Sequence, residues 1–140
     1  MLTARQVAAY LDRVGWAGPA AVSAETLRGL HLTHLLSVPF ENLDIALGRP
    51  LRLETAALFA KVVGARRGGF CYELNGLFAA LLRALGFDVI LLAARVYSRG
   101  GFGPEFDHLC LLVRTPEPYL ADVGFGECFR EPLRLDLAGE

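Results

Sequence analysis

A cysteine, a histidine and an aspartate stand in that order along this 140-residue chain, each in a setting that could do chemistry. Cys71 closes the run RGGFC, where an apolar helix begins. At a helix start the unpaired amides and the macrodipole favour an anion, so the spacing points to a stabilised thiolate. Gly68 and Gly69 just upstream leave room for a substrate to approach the backbone, and Arg66 and Arg67 add positive charge. Cysteine is also a common small core residue, so position alone leaves both readings open.

A nucleophilic thiol needs a base, and the base needs an orienting group. The chain has three histidines. His31 and His34 lie between leucines on one helical stripe and read as core-edge residues. As an i, i+3 pair they lack a nearby acidic or thiol ligand to complete a metal set. His108 lies on a predicted strand beside a Gly-rich loop, and Asp122 lies on the next strand. Both numbers are even, so an antiparallel pairing through a loop of three or five residues puts them on one face. A four-residue loop would separate them, and the sequence leaves that register open. The order resembles the papain-type arrangement of helix-borne thiolate, strand-borne imidazole and orienting third residue. Cys110 alternates into a strand among leucines and Cys128 follows a GFG loop; both read as non-catalytic.

The elements that must carry these residues change character along the chain. Helices are expected over residues 3–14, from Ser23 as N-cap to about Val38 before Pro39, and over residues 54–63. The clearest helix holds Leu74, Leu77, Phe78, Leu81, Leu82 and Leu85 on one face and stops at Gly86. Strands follow over residues 88–97, 107–114 and 119–126, with a Gly-rich loop at 98–106 and a turn at TPEP. This is the α+β class: an N-terminal helical bundle (1–86) followed by an antiparallel β-sheet or barrel (87–140), with a seam near Gly86.

Composition removes other classes. Hydrophobic residues make up 54 %, enough for a sizeable core, and the net charge of -1 comes without a basic stripe, which argues against nucleic-acid binding. Apolar runs such as residues 89–94 are too short to cross a bilayer, so no membrane partner is expected. The N-terminus reads as an amphipathic helix, not a signal peptide. Three widely spaced cysteines make no disulfide framework, and a reducing cytoplasm is the default. The alternation in LRLDLAGE fits two readings: further chain that would cover some of this surface, or a small, rather apolar domain.

Four blocks, HLTHLLSVPFENLDI, RRGGFCYELNGLFAALLRALGFDV, FDHLCLLV and YLADVGFG, resemble the arylamine N-acetyltransferase family in order and spacing, over residues 1 to about 135. The resemblance implies that Cys71 accepts the acetyl group, His108 is its base and Asp122 orients His108. It implies a buried ion pair between Glu41 and Arg67 that props the active-site loop. It makes Phe40 and Phe125 walls of the acceptor pocket. Gly124 and Gly126 would lie where acetyl-coenzyme A approaches, with Gly103 and Pro104 lining the same cleft. It further implies acetyl-coenzyme A as donor substrate, an arylamine or hydrazine acceptor, no metal and no tightly bound cofactor.

Family members normally continue into a third, α/β lid domain. The expectation here is therefore an incomplete β domain without the lid, with self-association through the surface so left. Two other readings stand beside the acetyltransferase: a macrolactam-forming amide synthase of the same family, and a truncated, non-catalytic remnant.

Overall fold

The computed structural model describes residues 1–127 and 129–136. Helix α1 (Ala4–Val14) opens with a capping box. Thr3 Oγ1 accepts the Gln6 N–H at 3.3 Å, and Gln6 Oε1 accepts the Thr3 N–H at 2.9 Å. Helix α2 (Ala24–Ser37) starts at Ser23, whose Oγ accepts the Thr26 N–H at 3.1 Å. Pro39 follows its end and the chain turns through the four-residue α3 (Leu43–Ala46).

The helix expected over residues 54–63 is shorter and changes pitch. Helix α4 (Thr55–Phe59) runs into a π-helical stretch, Ala60–Gly64, closed by the Ala65 N–H bonding the Ala60 carbonyl at 2.8 Å. That wide turn has no signature in a 3.6-residue pattern. It carries Lys61, which reaches two carboxylates described below.

Helix α5 (Cys71–Ala84) is the centre of the molecule. Leu74, Leu77, Phe78, Leu81 and Leu82 are fully buried, each burial worth about 1.5–3 kcal/mol. The helix ends in a Schellman motif: the Phe87 N–H bonds the Leu82 carbonyl and the Gly86 N–H bonds that of Arg83. Gly86 takes φ 98°, a left-handed conformation that most side chains avoid.

Strands β1 (Asp88–Ala94), β4 (His108–Arg114), β5 (Pro118–Ala121) and β6 (Leu133–Arg134) form one antiparallel sheet in the order β1-β4-β5-β6. The sheet is open, not a barrel. One hydrophobic cluster joins helices and sheet, with Leu27 and Leu30 of α2, the α5 leucines, and Val89, Leu111, Val113, Tyr119 and Ala121 of the strands.

Two strand expectations change. The strand over residues 88–97 stops at Ala94; Tyr97–Ser98 (β2) instead pairs with Gly101–Phe102 (β3) in a small ribbon inside the expected loop. The strand over 119–126 stops at Ala121, because side chains take the next three amides. The Asp122 N–H goes to His31 Nε2 at 3.2 Å and the Val123 N–H to Asn75 Oδ1 at 2.9 Å. The Gly124 N–H goes to Asp122 Oδ1 at 2.9 Å. With those donors spent, the ladder ends and the chain crosses the start of α5. No helix of the described residues is long and apolar enough to cross a membrane.

Candidate active site

Cys71 is the first residue of α5 and is nearly covered, at 9 % exposure. The loop before it is braced from both sides. Glu73 Oε2 accepts the Phe70 N–H at 3.2 Å, the returning half of a capping box. Phe40 and Gly69 form a parallel bridge, and the Glu41 N–H bonds the Gly69 carbonyl at 2.9 Å. A side chain at Gly68 would strike the Pro39 carbonyl, and one at Gly69 would strike Glu73. The two glycines therefore make room for the protein's own backbone and side chains, not for a substrate as their position suggested.

His108 and Asp122 come from the β4–β5 hairpin. Arg114 pairs with Pro118, so the turn has three residues, 115–117, the odd length that parity required. Leu111 faces Ala121, so one step further along the same register sets Asp122 across from Cys110 and diagonal to His108. His108 Nε2 and Asp122 Oδ2 meet at 2.6 Å, both residues buried. With Nε2 taken by Asp122, Nδ1 is the ring nitrogen left to exchange a proton with Cys71.

The electrostatics of this pair favour charge. Burial pulls the His108 pKa down, but hydrogen bonds to Asp122 and Cys71 and their negative charge outweigh it and raise it to about 9. Burial works against the Asp122 carboxylate. Hydrogen bonds from His108, Asn75 and the Gly124 N–H, with the His108 charge, still hold its pKa below the usual carboxylate range.

Asn75 is the residue that motif reasoning passed over. Fully buried, it gives one amide hydrogen bond to Asp122 Oδ1 at 2.8 Å and one to the Leu109 carbonyl at 2.7 Å. Its signal was present: it lies four residues after Cys71, on the same helical face, as a polar residue among leucines. His31 also exceeds its expected part. It is fully buried, not at the core edge, and touches the Asp122 backbone. His34 is buried as well. Its Nε2 shares a 2.9 Å hydrogen bond with the Tyr10 hydroxyl. Burial, with the nearby Arg13 charge, drives its pKa down to about 3. Among the described residues no group of three His, Cys, Asp or Glu side chains is disposed to hold a metal ion.

A cleft of ≈ 360 Å³ opens against His108 and Asp122, walled by Val96, Phe125 and Phe129. The Phe125 ring stands edge-on to His108, 5.0 Å between centroids. Phe40 is half-exposed and does not line this cleft. Nor do Gly103 and Pro104; Gly103 is tied back to the strand end through Arg95 Nε, which bonds its carbonyl at 2.7 Å. Gly124 packs on helix α5: an added Cβ would lie 2.8 Å from the Cys71 Cα. Gly126, at φ 88°, faces open space. Cys110 lines the cleft as a buried thiol whose pKa burial and the Asp122 charge push up to about 11. Cys128 lies outside the described residues.

Glu41 and Arg67 do pair, at 2.8 Å, but as part of a larger and only partly buried network. Arg67 also reaches Asp44 at 2.9 Å, and Lys61 joins Asp44 and Glu73, each at 2.8 Å. Arg49 adds a 3.3 Å contact to Asp44. A cavity of ≈ 400 Å³ beside this network is larger than the His108 cleft, yet none of Cys71, His108 or Asp122 lines it.

A model of the N-acetyltransferase family matches residues 23–139. Over 129 residues the chain is 44 % identical to the arylamine N-acetyltransferase of Escherichia coli K12, covering 90 % of this chain and 46 % of that protein. The chain belongs to the arylamine N-acetyltransferase family. The solved structure of the family member from Salmonella typhimurium superposes with a TM-score of 0.89 at 41 % identity. That match covers 100 % of this chain and 53 % of the other. The Mycobacterium marinum family member, solved in complex with CoA, superposes at 0.87 with 40 % identity, over 95 % of this chain and 52 % of its own. The chain thus spans about half the length of the family relatives it matches.

Proposed function

We propose that this chain carries the chemistry of an arylamine N-acetyltransferase: double displacement through an acetyl-Cys71 intermediate, with acetyl-coenzyme A as donor substrate. The observation that carries the reading is the 2.6 Å contact of His108 with Asp122 beside a cysteine at a helix start. Cys71 is the nucleophile, His108 the acid–base and Asp122 the group that orients it.

In the first half-reaction the Cys71 sulfur attacks the thioester carbonyl carbon while His108 holds the proton. The Cys71 amide, at the N-terminus of α5, is a donor for the oxyanion. The carbon–sulfur bond to coenzyme A breaks and the leaving thiolate takes the proton from the imidazolium. In the second, an arylamine or hydrazine attacks acetyl-Cys71. Such amines are weak bases and stay neutral near pH 7, so their lone pair is available. His108 accepts the amine's proton as Cys71 leaves, which restores the starting pair. The cleft beside His108, with Phe125 as one wall and Cys71 outside its lining, has the volume of a small-ligand site, and we assign the acceptor to it.

A reducing compartment, the cytoplasm, suits a free thiol at position 71. The exposed Leu133 and Leu135, in and just after β6, belong to the apolar surface through which self-association would run.

The test is intact-protein mass spectrometry after mixing with acetyl-coenzyme A or p-nitrophenyl acetate. The expected result is one acetyl adduct on Cys71 that an added arylamine removes, and none on Cys71→Ala. An adduct that survives in Cys71→Ala would sink the reading.

A further inference from the structure

His31 and Asp122 lie 91 residues apart, yet the imidazole of one accepts the backbone N–H of the other at 3.2 Å. Because that backbone nitrogen can only donate, Nε2 of His31 must carry a lone pair, and Nδ1 must carry the proton. Nδ1 faces the Arg130 carbonyl at 3.0 Å, the partner a protonated nitrogen needs. The ring is stacked on Phe129, 7° from parallel with centroids 5.7 Å apart, and meets Phe78 of α5 edge-on. Every edge of this fully buried side chain therefore has a fixed neighbour, and one neighbour is the backbone of the residue that orients His108.

We propose that His31 is a positioning residue for the reaction: its two ring nitrogens tie the Asp122 backbone and the Arg130 carbonyl, next to the cleft wall at Phe129, to helix α2, fixing the Asp122 carboxylate against His108. This rests on the acetyl-transfer reading above. The bonding requires the neutral Nδ1–H tautomer. Burial lowers the His31 pKa and outweighs the opposing hydrogen bond to the Arg130 carbonyl and the Asp122 charge. The titratable neighbours are Asp122 and His34 one turn along α2; Arg130 meets the ring through its backbone carbonyl, and Phe78 and Phe129 bring no charge.

Removing His31 removes the acceptor of the Asp122 amide. An aliphatic residue would take away that hydrogen bond and loosen the tie between the Asp122 backbone and helix α2. A glutamine carries its side-chain oxygen to about the reach of Nε2 and can still accept the amide.

The experiment compares His31→Leu and His31→Gln with the wild-type chain, using p-nitrophenyl acetate as donor so that coenzyme A binding plays no part. Turnover, KM, thermal midpoint and the His108 titration by NMR are read on each protein. The expected result is a fall of about 10–100-fold in kcat for His31→Leu, with KM within about twofold, and a lower His108 midpoint. His31→Gln should recover most of both. Equal losses in the two variants, or a folded His31→Leu with wild-type kcat and His108 midpoint, would overturn the proposal. The 15N spectrum of wild-type His31 adds a readout that needs no variant: an Nε2–H tautomer also overturns it. If the wild-type chain transfers no acetyl group, the functional reading fails, while the tautomer and the His108 midpoint still decide the part played by His31.

Discussion

Two charged regions flank the first turn of α5, and they are built on opposite plans. The His108–Asp122 pair is buried and has neutral supports: the Asn75 amide, the Gly124 N–H and the His31 ring. The network of Glu41, Asp44 and Glu73 with Arg49, Lys61 and Arg67 is partly exposed and sets three carboxylates against three cations. The Asp122 charge meets His108 in a direct 2.6 Å contact and helps to raise its pKa. In the network each carboxylate except Glu41 is shared closely by a lysine and, for Asp44, two arginines, so no single bond decides the geometry. One plan concentrates an electrostatic effect; the other spreads a mechanical one.

Breaking the concentrated plan has the larger effect. Asp122→Asn should lower acetyl transfer by about 10³–10⁴-fold in steady-state assays. It should also move the His108 NMR titration down from about 9. The sign follows from linkage. His108 is held above its ordinary value, so its contribution to stability is full below about pH 6.5 and is lost as pH rises through about 9. Wild-type activity and stability should both fall on that alkaline limb, and the limb should shift to lower pH in Asp122→Asn. An unmoved limb would mean that the pair does not control it.

Asn75→Leu comes next. It removes one of the hydrogen bonds to the Asp122 carboxylate and leaves the Leu109 carbonyl and Val123 N–H unpaired. A loss of about 2–4 kcal/mol in chemical denaturation is expected, with turnover down about 10–100-fold. Unchanged turnover would show that the neutral supports hold shape only.

The smallest catalytic effect belongs to the network. Lys61→Met should cost about 2 kcal/mol by leaving Asp44 and Glu73 short of a partner, while kcat stays within about threefold. The network also fails at the other end of the pH scale. Hydrogen bonds from Lys61 and Arg67 hold the Asp44 pKa far below the usual carboxylate range. That contribution is present above the ordinary carboxylate value and is lost as pH falls. Acid melts of Lys61→Met should therefore converge with wild type, while alkaline melts keep their difference.

Much of the candidate site was legible in the sequence because it rests on local signals. The periodicity of the α5 leucines put Cys71 at a helix start, and parity allowed His108 and Asp122 to meet once the turn proved to have three residues. Hidden features depend on distant contacts or on backbone that follows no simple period. His31 looked like one more residue in a leucine stripe, since its partner lies 91 positions away. The π-helical turn at Ala60–Gly64 and the ribbon of β2 and β3 leave no period to read. Strand β5 ends early because side chains outbid its ladder for three amides, a competition no propensity describes. Gly68 and Gly124 were legible as special but not in their purpose, because a missing side chain marks a close approach without saying what approaches.

The capture of those three successive amides makes the length of the segment matter as much as its composition. An inserted residue between Ala121 and Gly124 would hand each donor to the wrong acceptor and carry Gly124 off its seat on the Cys71 backbone. The sheet and the helices would survive such an insertion intact. The chemistry would not, so a family-like fold of this kind can be silenced by arithmetic alone.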